Sequence, residues 1–309
     1  MNQKKANWLF LSTLMAEAVL MAVLIFCGDV FKMGVLMSLF VSQLVILVPA
    51  ILFLIGTRTN PFSLIQTKRI KISTALIVVV ITFLCMPAIV TVNAISMLFV
   101  ENTVNELSQS LISLPALAVI FMVGIFGPIS EEFVFRGVIY HSYRRVGRVI
   151  GGMLLSAFLF GITHLNFNQM SYAVLVGVIG VILVECTGSI LSSMIFHMVI
   201  NLTNTIPMFL FPDQFAGSAE EAEAELAAMG MTYQEALYVS IGVYAVIAAI
   251  GIVLAVCLFH VIAEKEDRLE HIKTIWNTRK EGPREKLWTI PLIVSVVLCF
   301  AYMIFDVIQ

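Results

Sequence analysis

Charge is what this sequence has least of. Asp, Glu, Lys and Arg make up 12% of its 309 residues, against about 25% in soluble domains. There is no basic excess either: net charge is −2, so nothing stands ready to neutralise phosphates, and nucleic acid is not an expected partner. Cysteine pairs are missing too. Cys27, Cys85, Cys186, Cys257 and Cys299 are widely spaced, with no C-x-x-C, which suggests neither a thiolate metal site nor a disulfide framework. They read as small buried hydrophobes. No repeat and no low-complexity tract interrupts the chain. What remains is apolar: 60% of residues are hydrophobic and mean hydropathy is +0.99. A soluble enzyme, a secreted disulfide scaffold, a disordered regulator and a DNA-binding domain are all excluded. At about 20 residues per crossing, the apolar content suffices for roughly nine membrane spans.

Apolar runs of membrane scale cover 8–26, 33–55, 74–100, 114–140, 149–164, 173–185, 190–211, 236–262 and 289–308. The expected fold is therefore all-α, a polytopic transmembrane helical bundle of about nine spans. The fifth and sixth runs are short, which is tolerated at depth only beside protein or an aqueous cavity. Lys4 and Lys5 before the first run imitate a signal peptide, but the run continues to Phe26 and contains Glu17, so it reads as an uncleaved span.

The basic residues set the orientation. With Lys4 and Lys5 inside, alternation places Arg58, Lys68, Arg69, Lys71, Arg144, Arg145, Arg148, Lys265, Arg268, Lys273, Arg279, Lys280, Arg284 and Lys286 inside as well. Only Lys32, outside, and Arg136, within a span, depart from this. Outer segments carry acids instead, among them Glu101, Glu106, Asp213, Glu220 and Glu235. The positive-inside rule then gives a cytoplasmic N-terminus and an outer C-terminus. Residues 213–235, acidic and alanine-rich, read as a solvated loop, with a short surface helix as the alternative. The mixed-charge connector 263–288 is expected to be helical in its first half. Three divisions follow: N-terminal helices in 1–113, a core in 114–211, and the acidic loop with two last spans in 212–309.

Polar groups at membrane depth are costly, about 2.5–3.5 kcal/mol for a charge at the centre, and so point to function. The candidates are Glu17, Glu131, Glu132, Arg136, His164, Glu185 and His197, with Asn201 as companion. Glu17 and Glu185 each stand alone in their span and read as structural, Glu185 close enough to the inner edge to snorkel. His141, His260 and His271, at the membrane edge or near the charged connector, read as structural also. The rest cluster. Pro128 is suited to begin a helical segment. Glu132 and Arg136 form an i,i+4 pair in the favourable order, while Glu131 projects about 100° away. One carboxylate is thus neutralised and its neighbour stays free for chemistry. At 1.5 Å per residue, Glu131 lies roughly 20 Å from the inner edge, His164 roughly 24 Å, His197 roughly 14 Å and Asn201 roughly 20 Å. Three helices bring a carboxylate, two imidazoles and an amide into one layer, a set that supplies a general base, polarising donors and candidate metal ligands.

Glu131-Glu132-x-x-x-Arg136, Phe160-x-x-x-His164 and His197-x-x-x-Asn201, in that order on successive helices, resemble the CPBP family. This family groups CAAX-prenyl endopeptidases (Rce1-like) with bacteriocin-processing and Abi proteins. The resemblance covers roughly residues 115–210. It implies an intramembrane endopeptidase in which Glu131 activates water with help from His164. His197 and Asn201 then stabilise the oxyanion, and Glu132 with Arg136 holds the architecture. The implied partners are membrane lipid and a protein or peptide substrate, of CAAX, bacteriocin or pheromone type. The implied location is a bacterial plasma membrane. A metal stays open: Glu131, His164 and His197 have the ligand types of a His₂Glu zinc site, whereas a metal-free glutamate needs only a held water. Other intramembrane proteases lack their motifs here, with no His-Glu-x-x-His and no Gly-x-Ser-Gly or Gly-x-Gly-Asp. Two further classes remain, a non-catalytic immunity or scaffold protein and an ion-coupled transporter. The latter calls for inverted repeats, which the sequence does not display.

Overall fold

In the absence of water, every backbone N–H and C=O must be paired within its own segment, which makes the helix the default for apolar runs of this length. A computed structural model describes residues 1–27, 34–102, 110–147, 149–212, 215, 219–277 and 285–308. Among them eight helices are long and apolar enough to cross a membrane: α1 (Gln3–Cys27), α2 (Val35–Gly56), α4 (Ile72–Ser96), α5 (Ala116–Arg144), α7 (Phe167–Thr187), α8 (Ile190–Leu210), α10 (Tyr233–Lys265) and α12 (Ile290–Ile308). The short pieces are α3 (Pro61–Leu64), α6 (Val149–Ile162), α9 (Ala219–Ala228) and α11 (Leu269–Asn277). The polytopic helical bundle stands, with the fifth apolar run forming the shorter α6.

Three elements differ from expectation. The sixth run, expected to be short, extends to the 21 residues of α7. Its polar first turn hid it: the Asn166 side chain caps the Gln169 N–H, and buried Asn168 donates to Asn93 Oδ1 and Ser96 Oγ. The acidic stretch preferred as a loop contains α9, where Ala and Glu, both good helix formers, outweigh the like charges. Glu185 is neither alone nor snorkelling, as described below. Lys32, Glu106, Arg148, Asp213, Arg279, Lys280 and Arg284, used in the charge count, lie outside the described residues.

The bundle packs α4 against α10 and α6 against α7. Both pairs approach closely because a glycine stands at the crossing, as small residues do in membranes. A Cβ on Gly251 would collide with the Leu84 carbonyl, and one on Gly177 would meet Ala157 at 2.7 Å. Large side chains on α10 and α12, such as Ile250, Val253 and Val297, point outward, as a lipid-facing surface requires.

On the side assigned to the cytoplasm, polar groups lace the elements together. The Ile190 N–H donates to the Gln66 carbonyl at 2.8 Å. Glu266, at the end of α10, accepts from Thr74 Oγ1 (2.6 Å), the Lys71 N–H (3.2 Å) and Lys68 Nζ (3.1 Å). Burial by itself would raise the Glu266 carboxyl, but these three donors hold it below its ordinary value. Glu185 is buried and fully engaged. It accepts from Tyr140 Oη at 2.7 Å, Arg144 Nε at 2.7 Å and His271 Nε2 at 2.5 Å. Arg268 donates from Nε to the Glu185 backbone carbonyl. Nearby cations and a phenol therefore satisfy Glu185 where it stands.

Candidate active site

Helix α5 is not uniform. Ile120–Phe126 and Phe133–Tyr140 are π-helical, and the α-helical turn Gly127–Glu132 between them carries both carboxylates. Pro128 explains the first irregularity. Having no N–H and a bulky ring, proline breaks the α register at the preceding turn. The Gly127 N–H accordingly bonds back five residues, to the Met122 carbonyl. The next carbonyl, Val123, would need an N–H from Pro128, which has none. Asn201 Nδ2 on α8 supplies it at 2.8 Å. Side chains also satisfy the second π segment: Ser156 Oγ donates to the Phe135 carbonyl at 2.9 Å, and the His141 ring bonds the Arg136 carbonyl at 2.5 Å. Short π segments recur at functional sites, and here they set the rotation of the two carboxylates.

The neighbouring acids meet different surroundings. Glu132 is 1% exposed and ion-paired to Arg136 Nη1 at 3.1 Å; Arg136 itself is fully buried. The guanidinium lies over the Phe160 ring, its Cζ 4.2 Å from the centroid, a cation–π contact. Gly180 on α7 leaves the space for it, since a Cβ there would stand 3.1 Å from Arg136 Nε. Glu132 has a second partner that sequence spacing could not reveal. It accepts from His197 Nδ1 at 3.0 Å, which fixes the ring and turns Nε2 towards Glu131, 3.9 Å from Oε2. The Glu131 side chain keeps 17% exposure.

Phe160 organises both imidazoles. It meets the His164 and His197 rings edge-on, at centroid distances of 5.1 and 5.6 Å. His164 Nδ1 bonds the Phe160 carbonyl at 2.9 Å, so in the neutral ring Nε2 is the free acceptor. Glu131, Glu132, Arg136, Phe160 and His197 thus form one continuous cluster, with His164 joined through Phe160 and Asn201 through Val123. Among the described residues no three His, Cys, Asp or Glu side chains, the trio of Glu131, His164 and His197 included, are grouped to hold an ion. Glu17 and Tyr172, neither of them placed with the cluster from the sequence, both lie within electrostatic reach of Glu131. For Glu17 the signal was available, since fourteen residues from Gln3 is roughly 21 Å, the depth of Glu131.

Residues 113–203 match a family model described as type II CAAX prenyl endopeptidase Rce1-like. The chain carries an Rce1-like segment. It begins just before α5 and ends within α8, and every residue of the cluster falls inside it. No curated protein and no solved structure matches the chain. At the level of the family, the Rce1-like segment implies a membrane protease, and the apolar helices make the chain an integral, multi-pass membrane protein.

Proposed function

We propose that this chain hydrolyses a peptide bond of a membrane-associated or lipidated protein or peptide, of CAAX, bacteriocin or pheromone type, in a bacterial plasma membrane, with Glu131 as general base. The observation that carries the reading is the contrast between adjacent carboxylates. Glu132 is held by Arg136 and His197, whereas Glu131 is partly exposed and faces an oriented imidazole.

In this reading a water bonded to Glu131 and to His164 Nε2 gives its proton to Glu131 as its oxygen attacks the carbonyl carbon. The oxyanion takes hydrogen bonds from the His197 ring, oriented by Glu132, and from the second N–H of Asn201. Glu131 then returns the proton to the departing nitrogen as the C–N bond breaks. Preorganised donors of this kind contribute roughly 3–4 kcal/mol each. Glu132, Arg136 and Phe160 act through the groups they position. Every step uses side chains of the chain itself, none of which needs a bound metal to be placed.

The test compares the peptides of membranes carrying the wild type, Glu131→Gln and His197→Ala. The proposal expects a product that disappears in both variants at normal protein abundance. Wild-type processing by Glu131→Gln would refute it, and the absence of any product that depends on the chain would favour a non-catalytic scaffold.

A further inference from the structure

Away from the carboxylates, a groove of about 390 Å³ opens where α2 ends. Its lining is mostly apolar, from Ile51, Leu54, Ile55, Pro61 and Phe133, and the loop after α2 adds Arg58, Thr59 and Asn60. Arg58 is exposed and sits in the left-handed region at φ 49°, a conformation seldom adopted by a residue with a side chain. Among the described residues no acid lines the groove. The loop that carries it is on the side assigned to the cytoplasm by charge. Phe133 follows Glu131 and Glu132 directly, so whatever fills the groove packs against the helix that carries them.

We propose that this groove seats an acyl chain of an anionic phospholipid of the cytoplasmic leaflet, with the phosphate at Arg58. The chemistry matches at both ends. An apolar slot beside lipid accepts hydrocarbon, and a cation near an anionic leaflet surface attracts an acidic headgroup. Ile51 and Ile55 are 40% and 68% exposed, so the slot is open sideways to the bilayer and a chain enters without leaving it. Binding here does not depend on the proteolytic reading.

The experiment measures melting of the purified full chain in detergent, titrated with dioctanoyl phosphatidylglycerol, dioctanoyl phosphatidylcholine, inorganic phosphate or a farnesylated peptide. One basic contact predicts half-saturation by phosphatidylglycerol at about fivefold lower concentration than by phosphatidylcholine. Arg58→Gln should erase that preference and Arg58→Lys keep it, while Ile51→Trp, filling the slot from its exposed side, should abolish the shift for both lipids. Equal half-saturation by the two lipids in the wild type would overturn the proposal, as would a phosphatidylglycerol shift that survives Ile51→Trp. A matching shift with inorganic phosphate would reassign Arg58 to a free anion. Tighter saturation by the farnesylated peptide than by phosphatidylglycerol would reassign the slot to substrate. Either result refutes lipid as the occupant.

Discussion

The tie between Asn201 and Val123 exists because residue 128 is proline, which makes its energetic value conditional on that proline. Asn201→Leu removes the donor and leaves the Val123 carbonyl without a partner at membrane depth, at a cost of about 1–3 kcal/mol. Pro128→Ala restores an N–H five residues beyond Val123, in the π register already made by Gly127 and Met122. By itself this change should cost little, about 0.4–1 kcal/mol, through greater freedom of the unfolded chain. In the double variant the new N–H replaces the lost amide, so the penalty of Asn201→Leu should shrink by most of its value. Unfolding in mixed micelles titrated with SDS, followed by circular dichroism, measures the four corners of the cycle. A coupling of about 1–2 kcal/mol is expected, since residues sharing a partner depart from additivity. Strict additivity would refute the argument that the proline creates the vacancy. Proteolysis should stay lost in the double variant, because the restored N–H satisfies the backbone without returning the amide to the site.

Removing Arg136 as Arg136→Met should destabilise by about 3–5 kcal/mol, because Glu132 stays buried with its cation gone. Adding Glu132→Gln should recover part of that loss, and an equal or larger loss in the SDS titration would count against an ion pair. Gly180→Ala should cost about 1–3 kcal/mol by pressing on Arg136, whereas Gly242→Ala on α10, with nothing within 4 Å, should gain up to about 1 kcal/mol; thermal melts of the two variants check the sign of each. Glu266 titrates below its ordinary 4.5 when folded, so its contribution is complete at neutral pH and is lost as pH falls below 4.5 through the lower folded value. Glu266→Gln should flatten that part of the stability–pH curve, and an unchanged curve would reject the assignment. Chelation of divalent metals should leave proteolysis intact; loss of activity restored by stoichiometric zinc would reverse this expectation.

Interactions along one helix were legible in the sequence, and those between helices were not. The i,i+4 spacing of Glu132 and Arg136 already places the two charges on one face. That Glu132 also holds His197 depends on how α5 and α8 are rotated against each other, and the π segments that set this rotation leave no mark in hydropathy. Glu185 shows the same limit. Its partners Arg144, Arg268 and His271 belong to the end of α5 and to the connector after α10, so within its own span it looked solitary. Hydropathy also undercounted α7, where polar Asn168 and Gln169 occupy the first turn. It placed Glu131, His164, His197 and Asn201 at comparable depth because distance from a charged loop is a one-dimensional quantity.

The brevity of α6 has a consequence for the bilayer itself. Fourteen residues rise about 21 Å, some 9 Å less than a typical hydrocarbon core. After Ile162 the chain turns through Thr163, His164 and Leu165, whose φ of 52° reverses its direction before α7 begins. An apolar helix this short spans the core only by drawing the lipid surface inward or by admitting water at the turn. His164 sits on that turn, so among the described residues the apolar helix too short for the hydrocarbon core is also the one that ends at an imidazole of the cluster.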